Sequence, residues 1–171
     1  EAQSILNLAE NKFQEVKLSW HYRSENEKLI NFSNHAFYDG LLQILPNAKE
    51  NQFNLPPIEY RKVNGLWEKN RNYEEAQAII NLLLELLQRK DKPTIGIVTF
   101  NFHQQQQILD VLDEYLERLS TENVALYQLV NDAFNRYENE EFVGLFVKNI
   151  ENVQGDERDV IIFSVGYAKN K

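Results

Sequence analysis

The stretch Ile95-Gly-Ile-Val-Thr-Phe100 is almost continuously apolar. A run of this kind, without polar alternation, is typical of a strand covered on both faces, and such strands belong to parallel sheets. Amphipathic helices are predicted on either side of it, over 74–89 and around 108–119. Strands that alternate with helices predict an α/β fold, here a three-layer sandwich with a mainly parallel sheet.

The same periodicities predict the other elements of the chain. Helices are expected over 4–13, 25–38 and 121–141, the last ending in an acidic tract, and strands over 58–63, 143–147 and 160–165. No internal repeat, low-complexity tract or linker interrupts them. We therefore expect a single domain over residues 1–171.

Two helix starts carry capping signals. Ser24 is the expected N-cap of the helix at 25–38, with Glu27 as its capping-box partner. Asn72 is the expected N-cap of the helix at 74–89, with Glu75 reaching back to the Asn72 amide. This structural account of Asn72 and Glu75 is complete, so no chemistry is assigned to them.

Composition limits the classes of function. The 18 basic and 26 acidic residues give a net charge of −8, which is the wrong sign for a free-standing nucleic-acid binder with a basic face. The chain has no cysteine, which excludes a disulfide scaffold and a thiolate metal site. No segment approaches the roughly 20 apolar residues of a membrane helix, and no signal peptide is present, so we expect a cytoplasmic protein without a membrane partner. Methionine is absent, and we expect a piece of a larger protein.

Polar residues follow the apolar strand at 95–100. Thr99, Asn101 and Gln104 are short or amide side chains at the carboxyl end of that strand, where open α/β sheets bind ligands. They can bind phosphate oxygens, or they can cap the next helix. The residues alone leave both interpretations open.

A second candidate lies in Val153-Gln-Gly-Asp-Glu-Arg-Asp-Val-Ile-Ile-Phe-Ser164, where a charged loop runs into an apolar strand. Charges crowded beside a buried strand are costly unless something uses them. A nuclease-like metal site built from Asp156, Glu157 and Asp159 is one alternative, but Arg158 lies among them and no lysine completes the set. The three histidines have no metal-ligand spacing, so no metal site is expected.

The chain contains no phosphate loop of the GxxxxGK[ST] type. It cannot by itself cradle a triphosphate in the usual way. A domain of this kind is expected to be the second partner in a two-domain nucleotide site.

Three blocks together resemble the superfamily 1 helicases of the group that includes the nonsense-mediated-decay RNA helicase. The blocks are Leu18-Ser-Trp-His-Tyr-Arg-Ser24 with the helix that follows, Ile95 to Asn101 with Gln105 to Gln107, and Val147 to Ser164. Their order and spacing are similar over essentially the whole chain. The likeness is strongest to large bacterial members that carry VQGDERDVI, some with an added restriction-endonuclease-like domain.

This resemblance implies the second RecA-like domain of an ATP-driven motor. Tyr22 would lie against the adenine, and Arg23 would reach the γ-phosphate as an arginine finger. Glu157 would bind the ribose hydroxyls, while Gly155, with Gln154 beside it, would let the loop backbone approach the phosphates. ATP and Mg²⁺ would be held mainly by the first, N-terminal RecA-like domain, so this chain alone is expected to be inactive.

The resemblance also implies a nucleic-acid partner, with DNA favoured over RNA. Thr99, Asn101 and Asn149 fall where family members touch the nucleic-acid backbone. This chain departs from the family pattern in having Phe100-Asn101 where others have Pro-Tyr, and Asn149 where others have serine or threonine. The block that carries a second γ-phosphate arginine is not in this sequence.

Two other classes of function compete with a motor domain. One is a non-catalytic RecA-like module that binds a protein partner. The other is the metal-dependent nuclease built on the acidic loop.

Overall fold

The computed structural model describes residues 4–10, 12–14, 16, 18–21, 24, 26–44 and 55–169. The chain divides into two compact units, 1–60 and 61–171. The single-domain organisation expected from the sequence stays a prediction.

The first unit contains two helices and one pair of short strands among its described residues. Helix α1 spans Ile5–Glu10, strand β1 spans Trp20–His21, helix α2 spans Glu27–Phe37 and strand β2 spans Gln43–Ile44. The two strands pair in parallel.

Helix α2 starts later than predicted. Its N-cap is Asn26, not Ser24, and the Asn26 side chain accepts a hydrogen bond from the Lys28 amide at 3.0 Å. The amide of Ser24 instead donates to the His21 ring at 3.0 Å. The helix ends at Phe37, and Asp39 and Gly40 just beyond it adopt left-handed φ angles, 52° and 74°.

The second unit contains the main sheet. In chain order its elements are α3 (Tyr73–Leu87), β3 (Ile95–Thr99), α4 (Phe102–Glu122), α5 (Val124–Phe134), β4 (Tyr137–Glu138), β5 (Glu141–Phe142), β6 (Phe146–Asn149), a 3₁₀ turn (Ile150–Asn152) and β7 (Val160–Ser164). Strand β3 is central, with β6 and β7 parallel to it on either side. All five residues of β3 are buried, as the apolar run predicts.

The helices pack on this sheet through their apolar faces. Helix α3 packs along α4 and against β7, while α4 also packs against α5, β3 and β6. The core centres on Ile80, Leu83, Ile97 and Ile108, all 0% exposed. Full burial of one such side chain stabilises the fold by about 1.5–3 kcal/mol. The prediction of an α/β fold with a parallel sheet is confirmed.

Two predicted elements were wrong. Residues 58–63 form no strand in the described part of the chain, since the preceding Pro56 and Pro57 have no N–H to donate to a neighbouring strand. Helix α5 ends at Phe134 instead of entering the acidic tract. That tract is the tip of the β4–β5 hairpin, where Asn139 and Glu140 adopt left-handed φ angles of 48° and 70°.

Within the described ranges, no helix is both long enough and apolar enough to cross a bilayer.

Candidate functional site

Three parallel strands end at one edge of the main sheet. Because β6, β3 and β7 run in the same direction, their carboxyl ends lie together. We call this the carboxyl edge and define it by Asn149 at the end of β6, residues 100–102 after β3 and residues 165–167 after β7. Ligands of open α/β sheets bind at such an edge.

Asn101 begins helix α4 at the carboxyl edge. Its side-chain Oδ1 accepts a hydrogen bond from the Gln104 amide at 2.9 Å. This bond fixes which way the amide points, because a flipped side chain would set an NH₂ group against an N–H. The Nδ2 atom is buried and has no hydrogen-bond partner in the described part of the protein. Asn101 therefore presents a donor of fixed orientation that no described residue satisfies.

Asn149 lies at the end of the neighbouring strand. It is in register with Thr99 across the β3–β6 pair. Although Asn149 precedes the 3₁₀ turn, its side chain does not cap that turn, and its Oδ1 is buried without a partner among the described residues. Because buried polar atoms are nearly always hydrogen-bonded, the two unpartnered asparagine atoms mark this edge for a ligand or for water.

Thr99 supports the edge from below. The residue is 0% exposed, and its hydroxyl donates to the carbonyl oxygen of Asn101 at 3.1 Å. The side chain therefore acts on the loop that carries Asn101. Of the two interpretations left open by the sequence, capping holds for the Oδ1 of Asn101, and phosphate binding by its unpartnered Nδ2 stays a prediction.

Behind the edge lies a buried polar cluster that the sequence did not reveal. We call it the interhelix network, formed by Asn72, Glu75, Gln104, Ser164 and Gly166. Gln104 accepts from the Asn72 amide at 2.7 Å and donates to the Asn72 carbonyl and to the Ser164 hydroxyl oxygen, both at 3.2 Å. The network joins the start of α3 to the start of α4 and to the end of β7.

The carboxylate of Glu75 belongs to this network. It accepts from the Ser164 hydroxyl at 2.7 Å and from the Gly166 amide at 2.9 Å. The prediction that Asn72 caps α3 is confirmed by its 3.0 Å bond from the Glu75 amide. The prediction that Glu75 reaches back to the Asn72 amide was wrong, because Gln104 occupies that amide. The only sign in the sequence that Gln104 would take this role was its position three residues after the capping Asn101.

The loop between the 3₁₀ turn and β7 carries the predicted nucleotide residues. We call residues 153–159 the crossover loop. It opens with a turn closed by a 3.1 Å bond from the Asp156 amide to the Val153 carbonyl. Gly155 has φ +90° and open space where a Cβ would lie, as the third position of a type II turn requires. Gln154, Gly155 and Glu157 are all exposed.

Most charges of the crossover loop are used within the protein. Asp156 pairs with Lys148 at 2.7 Å, and Asp159 accepts from the amide and hydroxyl of Thr94, both at 2.7 Å. Arg158 donates to the Gly144 carbonyl at 3.1 and 2.9 Å and lies over the Phe146 ring. These bonds explain how the charges are tolerated beside a strand.

The acidic side chains of the loop therefore point to different partners. In the part of the chain that the structure describes, no three histidine or acidic groups converge as a metal site would require. The Glu157 carboxylate has no hydrogen bond or ion pair to another described residue. This geometry leaves Glu157 available to a ligand and gives the nuclease interpretation no support.

Tyr22 and Arg23 lie outside the described residues. The structure therefore does not test their predicted contacts with adenine and with the γ-phosphate. The roles predicted for the other site residues stay predictions as well, and the structure adds only their positions and partners.

Comparisons with known proteins agree with the fold. The sequence model of the AAA_12 family, described as an AAA domain, matches residues 2–171. This match and the parallel sheet confirm the predicted RecA-like α/β fold. No solved structure gives a significant match to the chain.

Two curated relatives come from mycoplasmas. An uncharacterised ATP-dependent helicase of Mycoplasma genitalium is 37% identical over 169 residues, and its homologue in Mycoplasma pneumoniae is 36% identical over 169 residues. Each alignment covers 98% of this chain but 14% of the relative. The chain thus spans about one seventh of the length of the relatives it matches.

Proposed function

Because this chain belongs to the AAA_12 family of AAA domains, we propose that it is the second motor domain of an ATP-dependent helicase. The names of the two mycoplasma relatives support ATP-dependent helicase activity in the family. The absence of a GxxxxGK[ST] loop from this sequence supports a role as the second domain of the pair. The first, N-terminal RecA-like domain would then supply the phosphate loop and the Mg²⁺ ligands.

The observation that carries the proposal is the free donor of Asn101. Its Nδ2 is buried, unpartnered among the described residues and held in one orientation by the cap of α4. A phosphodiester oxygen is a charged acceptor, and hydrogen bonds to charged groups contribute about 1.5–3 kcal/mol. A nucleic-acid backbone passing the carboxyl edge would satisfy this donor, and the Oδ1 of Asn149 would accept from a water that bridges to the backbone.

Such contacts suit an acidic chain. Short amide side chains bind a backbone at a few points and do not depend on a basic face. With a net charge of −8 the chain has no general attraction for nucleic acid. In this proposal Thr99 acts indirectly, because its buried hydroxyl holds the carbonyl of the Asn101 loop.

The crossover loop forms the nucleotide side of the proposal. The exposed carboxylate of Glu157 would accept hydrogen bonds from the ribose hydroxyls, and the Gln154-Gly155 turn would lie close to the phosphates. The ion pair between Lys148 and Asp156 ties this turn to the end of β6, which also carries Asn149. ATP and nucleic acid would thus contact neighbouring parts of one segment.

By the family resemblance, Tyr22 and Arg23 would also contact the nucleotide. Tyr22 would lie against the adenine, and Arg23 would neutralise charge that develops on the transferring phosphoryl group. We further propose a cytoplasmic location, and DNA as the preferred strand over RNA. Titrations with DNA and RNA of one sequence would decide the polymer.

The decisive experiment measures ATP hydrolysis by the full-length protein with and without single-stranded nucleic acid. Arg23→Ala is expected to lower the stimulated rate by about 10³- to 10⁵-fold, because an arginine finger contributes this much in related motors. Arg136→Ala is the matched control, since Arg136 pairs with Glu138 beside the β4–β5 hairpin. Near-normal stimulated hydrolysis by Arg23→Ala would refute the assignment.

A further inference from the structure

An exposed aromatic pair lies at the carboxyl edge, just after β7. The rings of Trp67 and Tyr167 are 4.9 Å apart between centroids, with their planes at 47°. Tyr167 is 66% exposed, whereas Trp67 is half-buried. The pair thus presents one open ring, that of Tyr167, against a half-buried one.

The backbone beneath Tyr167 is held from both sides. The Gly166 amide donates to Glu75 at 2.9 Å, and the Gly166 carbonyl accepts from the Asn72 Nδ2 at 3.0 Å. Gly166 has φ +77°, and a Cβ there would lie 2.8 Å from the Trp67 ring. The position therefore requires glycine, and the interhelix network fixes the base from which Tyr167 projects.

Trp67 is anchored independently of Tyr167. Its amide donates to the Lys169 carbonyl at 3.3 Å, and its ring packs on Gly166. A ring supported from behind loses little freedom when something stacks on it. The pair is thus a preorganised surface.

The aromatic pair is connected to Asn101 by hydrogen bonds. The Asn72 side chain donates to the Gly166 carbonyl, and the Asn72 backbone amide donates to the Gln104 side chain. The Gln104 backbone amide in turn donates to the Oδ1 of Asn101. The loops after β3 and after β7 are therefore parts of one rigid edge. Because β3 and β7 are neighbouring parallel strands, a nucleic acid bound across the carboxyl edge would meet the ends of both.

Basic residues lie close to the aromatic pair in the sequence. Lys69 and Asn70 form the tip of a tight turn closed by mutual backbone bonds of Glu68 and Arg71, at 2.9 and 3.0 Å. Lys69 has φ 51° and Asn70 has φ 62°, which is a conformation that non-glycine residues rarely adopt. None of Lys69, Arg71 and Lys169 forms an ion pair with another described residue.

We propose that Tyr167, backed by Trp67, is a stacking platform for one base of the single strand that the carboxyl edge binds. Lys69, Arg71 and Lys169 lie beside the platform in sequence and would neutralise neighbouring phosphates. Because every base has a π face, the platform gives affinity without sequence preference. This inference rests on the proposed function and adds a base contact to the backbone contacts of Asn101 and Asn149.

The test measures binding of a fluorescent single-stranded oligonucleotide to the full-length protein by anisotropy. Tyr167→Leu removes the π face but keeps apolar bulk, and it is expected to weaken binding about 5- to 150-fold. Tyr167→Phe keeps the ring and is expected to bind within about twofold of wild type.

Tyr137→Leu is a matched control. Tyr137 is also 66% exposed and also contacts a ring, that of Phe142 at 5.3 Å, but it lies in the hairpin before β6, away from the carboxyl edge. Its replacement is expected to leave binding unchanged.

A scan with single abasic nucleotides separates stacking from a structural effect. Removing the stacked base is expected to weaken binding by wild type at one strand position and to have no further effect on Tyr167→Leu. The platform is refuted if every abasic oligonucleotide weakens binding by Tyr167→Leu as much as binding by wild type. It is also refuted if Tyr167→Leu binds the intact oligonucleotide as well as wild type does. In both cases binding by wild type would leave the proposed function standing. If wild type binds no single strand at all, the proposed function itself fails.

Discussion

The starts of helices α3 and α4 are built alike but partnered differently. In both, the Oδ1 of a capping asparagine accepts from the amide three residues on, at 3.0 Å for Asn72 and 2.9 Å for Asn101. The Nδ2 of Asn72 donates to the Gly166 carbonyl, whereas the Nδ2 of Asn101 has no partner in the described chain. Both the Oδ1 and the Nδ2 of Asn72 are hydrogen-bonded within the described part of the fold, whereas only the Oδ1 of Asn101 is. The contrast separates buried polar groups that the fold satisfies from one that no described residue satisfies.

The largest effect is expected from breaking the structural asparagine. Asn72→Asp keeps the cap but sets a carboxylate oxygen against the Gly166 carbonyl at a site that is 1% exposed. A buried charge without a partner should lower the free energy of unfolding by about 3–5 kcal/mol. Urea denaturation followed by circular dichroism measures the loss. A variant as stable as wild type would mean that the interhelix network contributes nothing.

The next largest effect concerns two glycines that both have left-handed φ angles, Gly166 and Gly155. Gly166→Ala forces a left-handed φ and places a Cβ 2.8 Å from the Trp67 ring, so we expect about 2–3 kcal/mol of destabilisation. Gly155→Ala has φ +90° but open space, and about 1 kcal/mol is expected from backbone strain alone. Thermal unfolding of both variants side by side gives the difference. Equal losses would contradict the close packing of Trp67 on Gly166.

The third prediction concerns the unpartnered Nδ2 donor of Asn101, which can be removed while the N-cap of α4 is kept. Asn101→Ser keeps an oxygen for the Gln104 amide, so stability should change by less than about 0.5 kcal/mol. Affinity for single-stranded nucleic acid should fall about tenfold, since a bond to a charged acceptor is lost. Anisotropy titration and thermal unfolding of one preparation supply both values. A loss of stability with unchanged affinity would reverse the roles of the two asparagines.

The smallest effect concerns an exposed ion pair. Arg89 donates to Asp91 through Nε at 2.9 Å, and this hydrogen bond lowers the pKa of the Asp91 carboxyl. A lowered folded-state pKa gives stability that is present above the ordinary carboxyl pKa and lost as pH falls through the lowered one. Asp91→Asn should lower the melting temperature slightly at neutral pH and not at all in acid. Equal shifts at both pH values would show that the carboxylate charge is irrelevant.

Elements set by local pattern could be predicted from the sequence. The unbroken apolar run gives β3, and the broad apolar face of α3, with Ala76, Ile79, Ile80 and Leu83 buried, gives that helix. The hairpin at Tyr137–Phe142 was missed because its turn residues, Asn139 and Glu140, are also compatible with a helix end.

The site was only partly predictable for a physical reason. Asn101 was predicted because it follows an apolar strand, and Asn149 was predicted only from the family resemblance. Asn72 and Gly166, which are bonded to each other, lie 94 residues apart in the sequence. No periodicity of the sequence indicates a bond of that span. That Asp156 pairs with Lys148 and that Asp159 accepts hydrogen bonds from Thr94 could likewise be learned only from the folded chain.

The central position of β3 has a consequence for synthesis of the chain. Thr94, at its start, meets Asp159 65 residues later, which at 5–20 residues per second corresponds to about 3–13 s of translation. Until then an apolar strand has emerged with both hydrogen-bonding edges open, a form that pairs readily with other chains. Helices α3 and α4, adjacent to it in sequence, can cover one face early, but the edges must wait for β6 and β7. Ribosome stalling between residues 100 and 145 should therefore make nascent chains unusually dependent on chaperones.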